Sequence, residues 1–416
     1  MSMSPIHAHS DPAADAAALL SRLGLALLGL VVPCAAIGAR RAVFILMPIG
    51  CALILLAALL GANGEGFRQM RGSLLTPVGL TIVFLSLWSA ISLLWTPFRV
   101  DAGARFIKVA GTLMLAGAAS VLLPERTRAN SLYIWPVGVG LAALGAIALE
   151  LLHPPFLAQL QDGEDSTLER GLIACVVLAW PALAALALRH RWNSAAILAM
   201  VVAGASVAVQ SPPAIIAMLL GALAFAACGA KPRVAAPWLA GIAALLLLAA
   251  PAIPLALRML PVSTAMDPAG AMAGFVAAMA TWAEIVRGDG WRLLTGHGLD
   301  SATRGISGHY LADNTPLGIL FEIWYELGVL GALASAWLAA QAFLACGRFH
   351  AGLAPFALAG LVSLLTIAML GQSTAQLWWV TMLGIVLVAF AHVARGQHLD
   401  RRPKVQAMRN FGASET

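Results

Sequence analysis

The sequence predicts an all-α, polytopic integral membrane protein. Of its 416 residues, 61% are hydrophobic and only 11% are charged, and the mean hydropathy is +0.87. Apolar runs of about 20 residues, long enough to cross the hydrocarbon core of a bilayer, recur along the chain. Backbone groups in hydrocarbon must find hydrogen-bond partners within the protein, which leaves helices or a closed barrel. The runs are continuously apolar rather than alternating, and this pattern favours helices.

Twelve apolar runs are predicted to span the membrane. Most connectors between them are short, but residues 153–170 and 258–316 are longer. The first run follows a short polar segment with Asp11 and Asp15, which predicts a retained helix rather than a cleaved signal peptide. The predicted spans are residues 17–38, 42–61, 74–95, 106–124, 131–151, 170–188, 194–210, 212–229, 235–257, 317–346, 354–371 and 376–394.

Charge predicts the orientation of these helices. The C-terminal segment 395–416 is rich in basic residues, and such segments favour the cytoplasmic side. Both terminal tails, residues 1–16 and 395–416, are then cytoplasmic, and residues 258–316 form one large periplasmic loop between helices 9 and 10. Arg40 and Arg41 would lie outside, against the rule, which leaves an arrangement of eleven helices open.

Several basic residues fall on the predicted outer side, close to the membrane. Arginine there favours contact with an anionic ligand or with the carboxylates of the same side. These residues are Arg99, Arg105, Lys108, Arg170, Arg258, Arg287, Arg292 and Arg304.

No metal or cofactor is predicted from the sequence. The five cysteines lie in or beside apolar runs without the spacing of metal ligands, which is typical of packing residues. No nucleotide-binding motif, catalytic Ser/His/Asp arrangement or nucleic-acid-binding module is present.

The periplasmic loop contains one predicted helix, residues 271–289. Phe275, Met279, Trp282 and Val286 recur at helical spacing and form one apolar stripe. The stripe predicts either an amphipathic helix at the outer membrane interface or a helix packed on the bundle.

The stretch "DNTPLG" predicts the start of the tenth span. Asn314 or Thr315 can cap a helix, and Pro316 suits its first position. Glu322 and Glu326 then lie four residues apart on one face, which should point into a protein cavity rather than toward lipid. The helix N-terminus would also favour an anion such as phosphate. The sequence therefore predicts a polar pocket at the outer side of the bundle.

Three stretches together resemble the O-antigen ligase and polymerase family of bacterial inner membranes. They are "GHGLD" with the polar loop after it, "FEIWYELGVLGAL" at the start of a span, and "LWSAISLLWTP" (87–97). "LERGLIACVVLAWPALAAL" (168–186) resembles the helix after an outer loop of that family. The resemblance implies a metal-independent, inverting glycosyl transfer from a glycan on undecaprenyl diphosphate to lipid A–core or to another glycan.

The resemblance also implies which arginines bind the diphosphate. Arg170 stands where the family has an arginine at the start of the helix that follows its outer loop. Arg304 is similar to a family arginine that follows the Gly-rich turn, which is "GHGLD" (296–300) in this chain. A further family arginine has no counterpart in register here, and Arg258 and Arg287 are the nearest substitutes. Arginine suits this role because its planar fork binds phosphate oxygens in pairs.

The catalytic base departs from the family pattern. The family has a His-Asn pair before this span, whereas Asp313 precedes Asn314 here. His309 or Asp313 is the candidate base, with Glu326 as a further catalytic candidate. Asn314 and Glu322 would orient the acceptor, although both glutamates could instead anchor the helix at the interface.

Two alternatives remain open from the sequence. Gly/Pro-rich breaks such as "QSPPA" (210–214) would suit a secondary transporter, but the spans carry few charges and the two halves show no repeat. The departure at the histidine would suit a non-catalytic relative that assists polysaccharide assembly.

Overall fold

The computed structural model describes residues 12–39, 41–61, 65–124, 129–152, 167–259, 271–288, 290–371 and 376–396. These residues form helices and turns, with no β-strand among them, as the sequence predicts. Most of the predicted 153–170 connector and of the basic tail lies outside the described residues.

Each predicted span overlaps at least one helix, but the predicted span 235–257 is divided into two helices with a break after Leu248, and shorter helices occur between the spans. In chain order the helices are α1 Pro12–Gly38, α2 Ala42–Gly61, α3 Glu65–Leu74, α4 Pro77–Ser92, α5 Arg99–Leu122, α6 Ile134–Leu152, α7 Thr167–Ala187, α8 Trp192–Ala208, α9 Pro212–Cys228, α10 Pro232–Leu248, α11 Ala252–Leu257, α12 Ala271–Gly288, α13 Arg292–Thr295, α14 Ser301–Ser307, α15 Ile319–Gly347, α16 Ala354–Met369 and α17 Leu377–Ala394. A π-helical stretch, Leu27–Val31, lies within α1.

The described part of the chain has the helices of a multi-pass membrane protein. Seven are long and apolar enough to cross a membrane, and the bent pair α3–α4, with an angle of 73° between its halves, is an eighth candidate. The helices α8, α9, α10 and α16 are apolar but have only 16 or 17 residues each.

The bundle has two distinct ends. Arg395, just after α17, donates hydrogen bonds to the carbonyl groups of Ser120, Val121 and Leu123 at the end of α5. The two helices are therefore parallel, and their N-terminal ends lie together at the opposite end. We call these ends the Arg395 end and the Arg105 end, after residues that lie at them.

Contacts between other helices assign them to the same two ends. Arg170 near the start of α7 stacks on Trp378 at the start of α17. The Ser211 hydroxyl donates to Glu169, so α9 also starts at the Arg105 end. Trp324 near the start of α15 donates to the Leu247 carbonyl near the end of α10. Successive long helices thus run alternately between the two ends.

The start of α15 differs from the prediction. The helix begins at Ile319 with Gly318 as its N-cap, and no side chain caps it. The Thr315 hydroxyl instead donates to the carbonyl of Ala312 in the preceding turn. The predicted cap at Asn314 or Thr315 is therefore wrong, because the turn around Pro316 uses the hydroxyl and delays the helix.

The predicted helix at 271–289 is present as α12. Met279 and Trp282 are buried, and the Trp282 ring meets Phe321 of α15 edge-on at 5.6 Å. Phe275, earlier in the stripe, remains 51% exposed. At Met279 and Trp282 the stripe packs against the bundle, as one of the two alternatives predicted.

Candidate functional site

Arg105 is the centre of a buried ion network at the Arg105 end. Its Nη1 lies 2.9 Å from Oδ1 of Asp300 and 3.3 Å from Oε1 of Glu326, and its Nη2 lies 2.6 Å from Oε1 of Glu322. The Arg105 side chain is 10% exposed, and the carboxylates are 6% or less exposed. Buried charges require such partners because desolvation is costly, so these four side chains depend on one another.

Local structure brings the carboxylates to Arg105. Glu322 and Glu326 lie one turn apart at the start of α15 and face the same side. Asp300 has a left-handed backbone, with φ of 67°, at the end of the Gly-rich turn. Glu326 also accepts a hydrogen bond from the backbone N–H of Ala302 at 3.2 Å, which joins α14 to the network.

A break in α15 lies directly beside this network. Gly328 has φ of 63° and ψ of −159°, so the helix is interrupted within the stretch "YELG". Carbonyl groups before the break lose their partners in the helix and accept hydrogen bonds from elsewhere. The donors are the N–H of His297 to Tyr325 (2.8 Å), the N–H of Gly298 to Glu326 (3.0 Å) and Nε1 of Trp88 to Leu327 (2.9 Å).

Glycine is required both in the broken helix, at Gly328, and in the Gly-rich turn, at Gly298. A Cβ on Gly328 would lie 2.5 Å from the Leu294 carbonyl oxygen, and a Cβ on Gly298 would lie 2.7 Å from the Cβ of Thr96. Both glycines also have positive φ. The turn can approach the broken helix at Gly328, and the segment around Thr96 at Gly298, only because these two residues have no side chain.

The last residue of α4 and the segment that follows it bind the same turn. The Thr96 hydroxyl donates to the Leu299 carbonyl at 2.9 Å, and the Ser92 hydroxyl accepts from the Leu299 N–H at 3.2 Å. The stretches 87–97, 296–300 and 319–328 therefore meet in one place, although they are far apart in the sequence.

Of the predicted arginines, Arg304 joins the network. Its Nε lies 2.6 Å from Oδ2 of Asp300, and its Nη1 lies 3.3 Å from Oδ2 of Asp101. The Arg304 side chain is 43% exposed, so one side of it faces outward. Arg304 can therefore bind an external anion while Arg105 is enclosed by carboxylates.

His309, Asp313 and Asn314 lie on the exposed loop between α14 and α15. His309 has a left-handed backbone, with φ of 59°, and the following N–H of Tyr310 binds the Gly305 carbonyl at 2.7 Å. Within the described residues, no hydrogen bond joins these three side chains to Arg105 or its carboxylates. The side chains of His309, Asp313 and Asn314 are therefore accessible from outside the protein, unlike the buried network.

Arg170 occupies a separate place at the same end. Its Cζ lies 5.8 Å from the centre of the Trp378 ring, and both residues line a small cavity with Thr167 and Met382. The cavity lies between α1, α2, α7 and α17. Arg170 and Arg304 therefore have different neighbours: α1, α2, α7 and α17 surround Arg170, whereas Arg304 contacts Asp101 and Asp300.

The last two predicted arginines lie on or beside α12. Arg258 binds Oε1 of Glu284 and the carbonyl oxygen of Ala280, each at 2.8 Å, and so ties the end of α11 to α12. Arg287 is exposed in the last turn of α12. Arg258 therefore contacts a carboxylate of the protein, which is one of the two alternatives that the sequence left open for these arginines.

The structure adds Arg105, Asp300 and Trp88 to the predicted residues. Arg105 was one of several basic residues on the predicted outer side, and nothing in its local sequence separated it from the others. Two glutamates on one face of a membrane helix were the available signal, because they require a buried cation. Asp300 and Trp88 lie inside two of the stretches that carry the family resemblance, and that resemblance was the available signal for them.

A scan against protein-family models matched no family, and a search of curated proteins found no match. Among the described residues, no three His, Cys, Asp or Glu side chains are arranged to hold a metal ion. The carboxylates converge on a guanidinium instead. The site thus combines a rigid buried ion network, a half-exposed arginine and an exposed loop with two groups able to accept a proton.

Proposed function

We propose that the protein is a membrane glycosyltransferase of the O-antigen ligase and polymerase type. It would take a glycan from undecaprenyl diphosphate and join it to lipid A–core or to another glycan, at the periplasmic face of a bacterial inner membrane. In this proposal twelve helices span the membrane, including the four shorter ones, and both termini are cytoplasmic. The observation that supports it most is the meeting of the three family-like stretches around Arg105.

The leaving diphosphate requires cations in positions that it can contact. Arg304 is half exposed at the edge of the network, and Arg170 lies in a cavity with an aromatic wall. We assign diphosphate binding to these two arginines. Arg105 is enclosed by three carboxylates, so we assign it the positioning of Glu322, Glu326 and Asp300 rather than phosphate binding.

The acceptor hydroxyl requires a base. His309 and Asp313 are exposed on one loop, whereas Glu326 is buried and bound to Arg105 and to the Ala302 N–H. We therefore propose that His309 or Asp313 takes the proton while the acceptor oxygen attacks the anomeric carbon. The bond from that carbon to the diphosphate oxygen then breaks, with inversion. Asn314 lies on the same loop and would orient the acceptor.

The transporter alternative has one structural argument, the broken helix α15. In transporters, the carbonyl groups of such breaks bind ions or substrate. Here the carbonyls of Tyr325, Glu326 and Leu327 accept hydrogen bonds from protein donors instead. The break therefore serves to dock the Gly-rich turn, and the glycosyltransferase proposal fits it better.

The test compares envelope glycolipids by mass spectrometry in a deletion strain complemented with variants. We expect His309→Ala or Asp313→Asn to lower glycan transfer about 10²- to 10⁴-fold, the usual effect of losing a general base. Arg170→Ala and Arg304→Ala should lower it as well. Arg233→Ala, an exposed arginine at the Arg395 end, is the matched control.

Each outcome separates the candidate functions. Normal glycolipids in the deletion strain, or in all four variants at equal membrane abundance, would exclude the proposed enzyme. Loss of glycan in the deletion strain with full activity of every variant would favour the non-catalytic relative. Uptake of a labelled solute into proteoliposomes, without a glycan product, would indicate a transporter.

A further inference from the structure

We propose that the Arg395 end carries a binding site for the phosphate of an anionic phospholipid headgroup. The site consists of Arg189, Arg191 and the N-terminus of α8. The proposal depends on the chain being a membrane protein and is independent of the glycosyltransferase function.

Two arginines share one tyrosine at this site. The Cζ atoms of Arg189 and Arg191 lie 5.5 and 5.7 Å from the centre of the Tyr133 ring. Within the described part of the chain, neither arginine forms an ion pair with a carboxylate. Two guanidinium groups held close to one ring repel each other, and an anion that binds both reduces this repulsion.

The turn that carries these arginines is rigid. The N–H groups of Arg189 and Arg191 both donate to the Leu186 carbonyl, at 3.1 and 3.0 Å, and the His190 N–H donates to the Ala187 carbonyl at 2.9 Å. His190 itself has a left-handed backbone, with φ of 58°. The last carbonyls of α7 are thus already bonded within the turn, and the guanidinium groups are not needed to cap them.

Unused donors point to an anionic ligand. The Nε of Arg189 has no acceptor in the described chain. The Arg189 side chain is only partly buried and Arg191 is exposed, so a phosphate can reach their guanidinium groups. Arg191 is the N-cap of α8, a helix of 17 residues, whose first N–H groups carry partial positive charge. Phosphate oxygens accept hydrogen bonds from both kinds of donor.

The neighbouring surface favours a lipid as the source of the phosphate. Trp192, Ile197 and Met200 of α8 are exposed and lead from the arginines along the apolar outside of the bundle. Trp192 is placed where tryptophan is enriched, at the boundary between headgroups and hydrocarbon. A headgroup phosphate at Arg189 and Arg191 would let the acyl chains lie along this surface.

The test measures binding of phosphatidylglycerol and of phosphatidylcholine to the purified full-length protein by native mass spectrometry. We expect phosphatidylglycerol to bind more tightly, and Arg189→Gln with Arg191→Gln to weaken it about tenfold or more. The matched control is Lys231→Gln with Arg233→Gln, which removes two exposed charges at the same end and should change binding less than about threefold.

The melting temperature of each variant, measured in detergent without added lipid, shows whether the variant is folded as stably as the wild type. If the double glutamine variant is destabilised, Arg189→Lys with Arg191→Lys decides, because it keeps the charges and loses the fork geometry; we expect an intermediate weakening. Unchanged phosphatidylglycerol binding in the arginine variants would overturn the site, and an equal loss in the Lys231/Arg233 control would reduce it to diffuse surface charge. Binding of inorganic phosphate without phosphatidylglycerol would overturn the lipid assignment.

Discussion

Arginines lie at both ends of the bundle, and the protein surrounds them in opposite ways. Arg105 is buried among three carboxylates from the Gly-rich turn and α15. Arg189 and Arg191 share a tyrosine ring and have no carboxylate partner among the described residues. An arginine near a predicted membrane boundary thus indicates an anion but does not identify it. Arg105 has its anions within the fold, whereas Arg189 and Arg191 are open to an external one.

The largest expected effect comes from Arg105→Ala. It would remove the cation that Asp300, Glu322 and Glu326 share, and breaking a buried ion network typically costs about 3–5 kcal/mol. Arg189→Ala removes only a cation–π contact and should cost about 1 kcal/mol or less. The free energy of unfolding in mixed micelles measures both. Equal losses of stability in Arg105→Ala and Arg189→Ala would contradict the difference between the two ends of the bundle.

The next effect is that of Gly328→Ala, which tests the break beside Arg105. A side chain there would adopt φ of 63° and contact the Leu294 carbonyl at 2.5 Å, so we expect a loss of at least about 1–3 kcal/mol. Gly241→Ala in α10, where nothing lies within 4 Å, should be neutral or slightly stabilising. The measurement is the free energy of unfolding of both variants in mixed micelles. An unchanged free energy of unfolding in Gly328→Ala would show that the turn docks on α15 without the break.

Trp88→Phe should have a moderate effect. It removes the donor to the Leu327 carbonyl and keeps most of the packing, which corresponds to about 1 kcal/mol. Trp238→Phe changes an exposed tryptophan and serves as the control. Hydrogen exchange of residues 296–300 should also become faster in Trp88→Phe alone. Equal exchange in both variants would show that Trp88 does not hold the turn.

The smallest effect is expected for Asp101→Asn. Asp101 and Arg304 are both about half exposed, and such pairs contribute about 0.2–1 kcal/mol. Salt screens exposed pairs, so the difference from the wild type should vanish at high ionic strength, whereas the cost of Arg105→Ala should persist. Melting temperatures at low and high salt test this contrast, and a salt-independent loss in Asp101→Asn would contradict it.

The helices could be predicted from the sequence because their cause is local. Continuous apolar runs determine α2, α7 and α17, and the stripe of Phe275, Met279 and Trp282 predicts α12. The sequence also predicted that Glu322 and Glu326 face the protein rather than lipid, because charges on one face of an apolar helix require polar partners. The structure shows them in a packed ion network with Arg105.

The tertiary structure decided which groups meet. Arg105 is separated by 195 residues from Asp300 and by 217 from Glu322, so no local pattern could select it among the outer cations. The break at Gly328 likewise depends on donors from Trp88 and from the Gly-rich turn, and the different neighbours of Arg170 and Arg304 depend on which helices pack together. Length and hydrophobicity act within one segment, whereas ion pairing and backbone hydrogen bonding across helices exist only once the chain has folded.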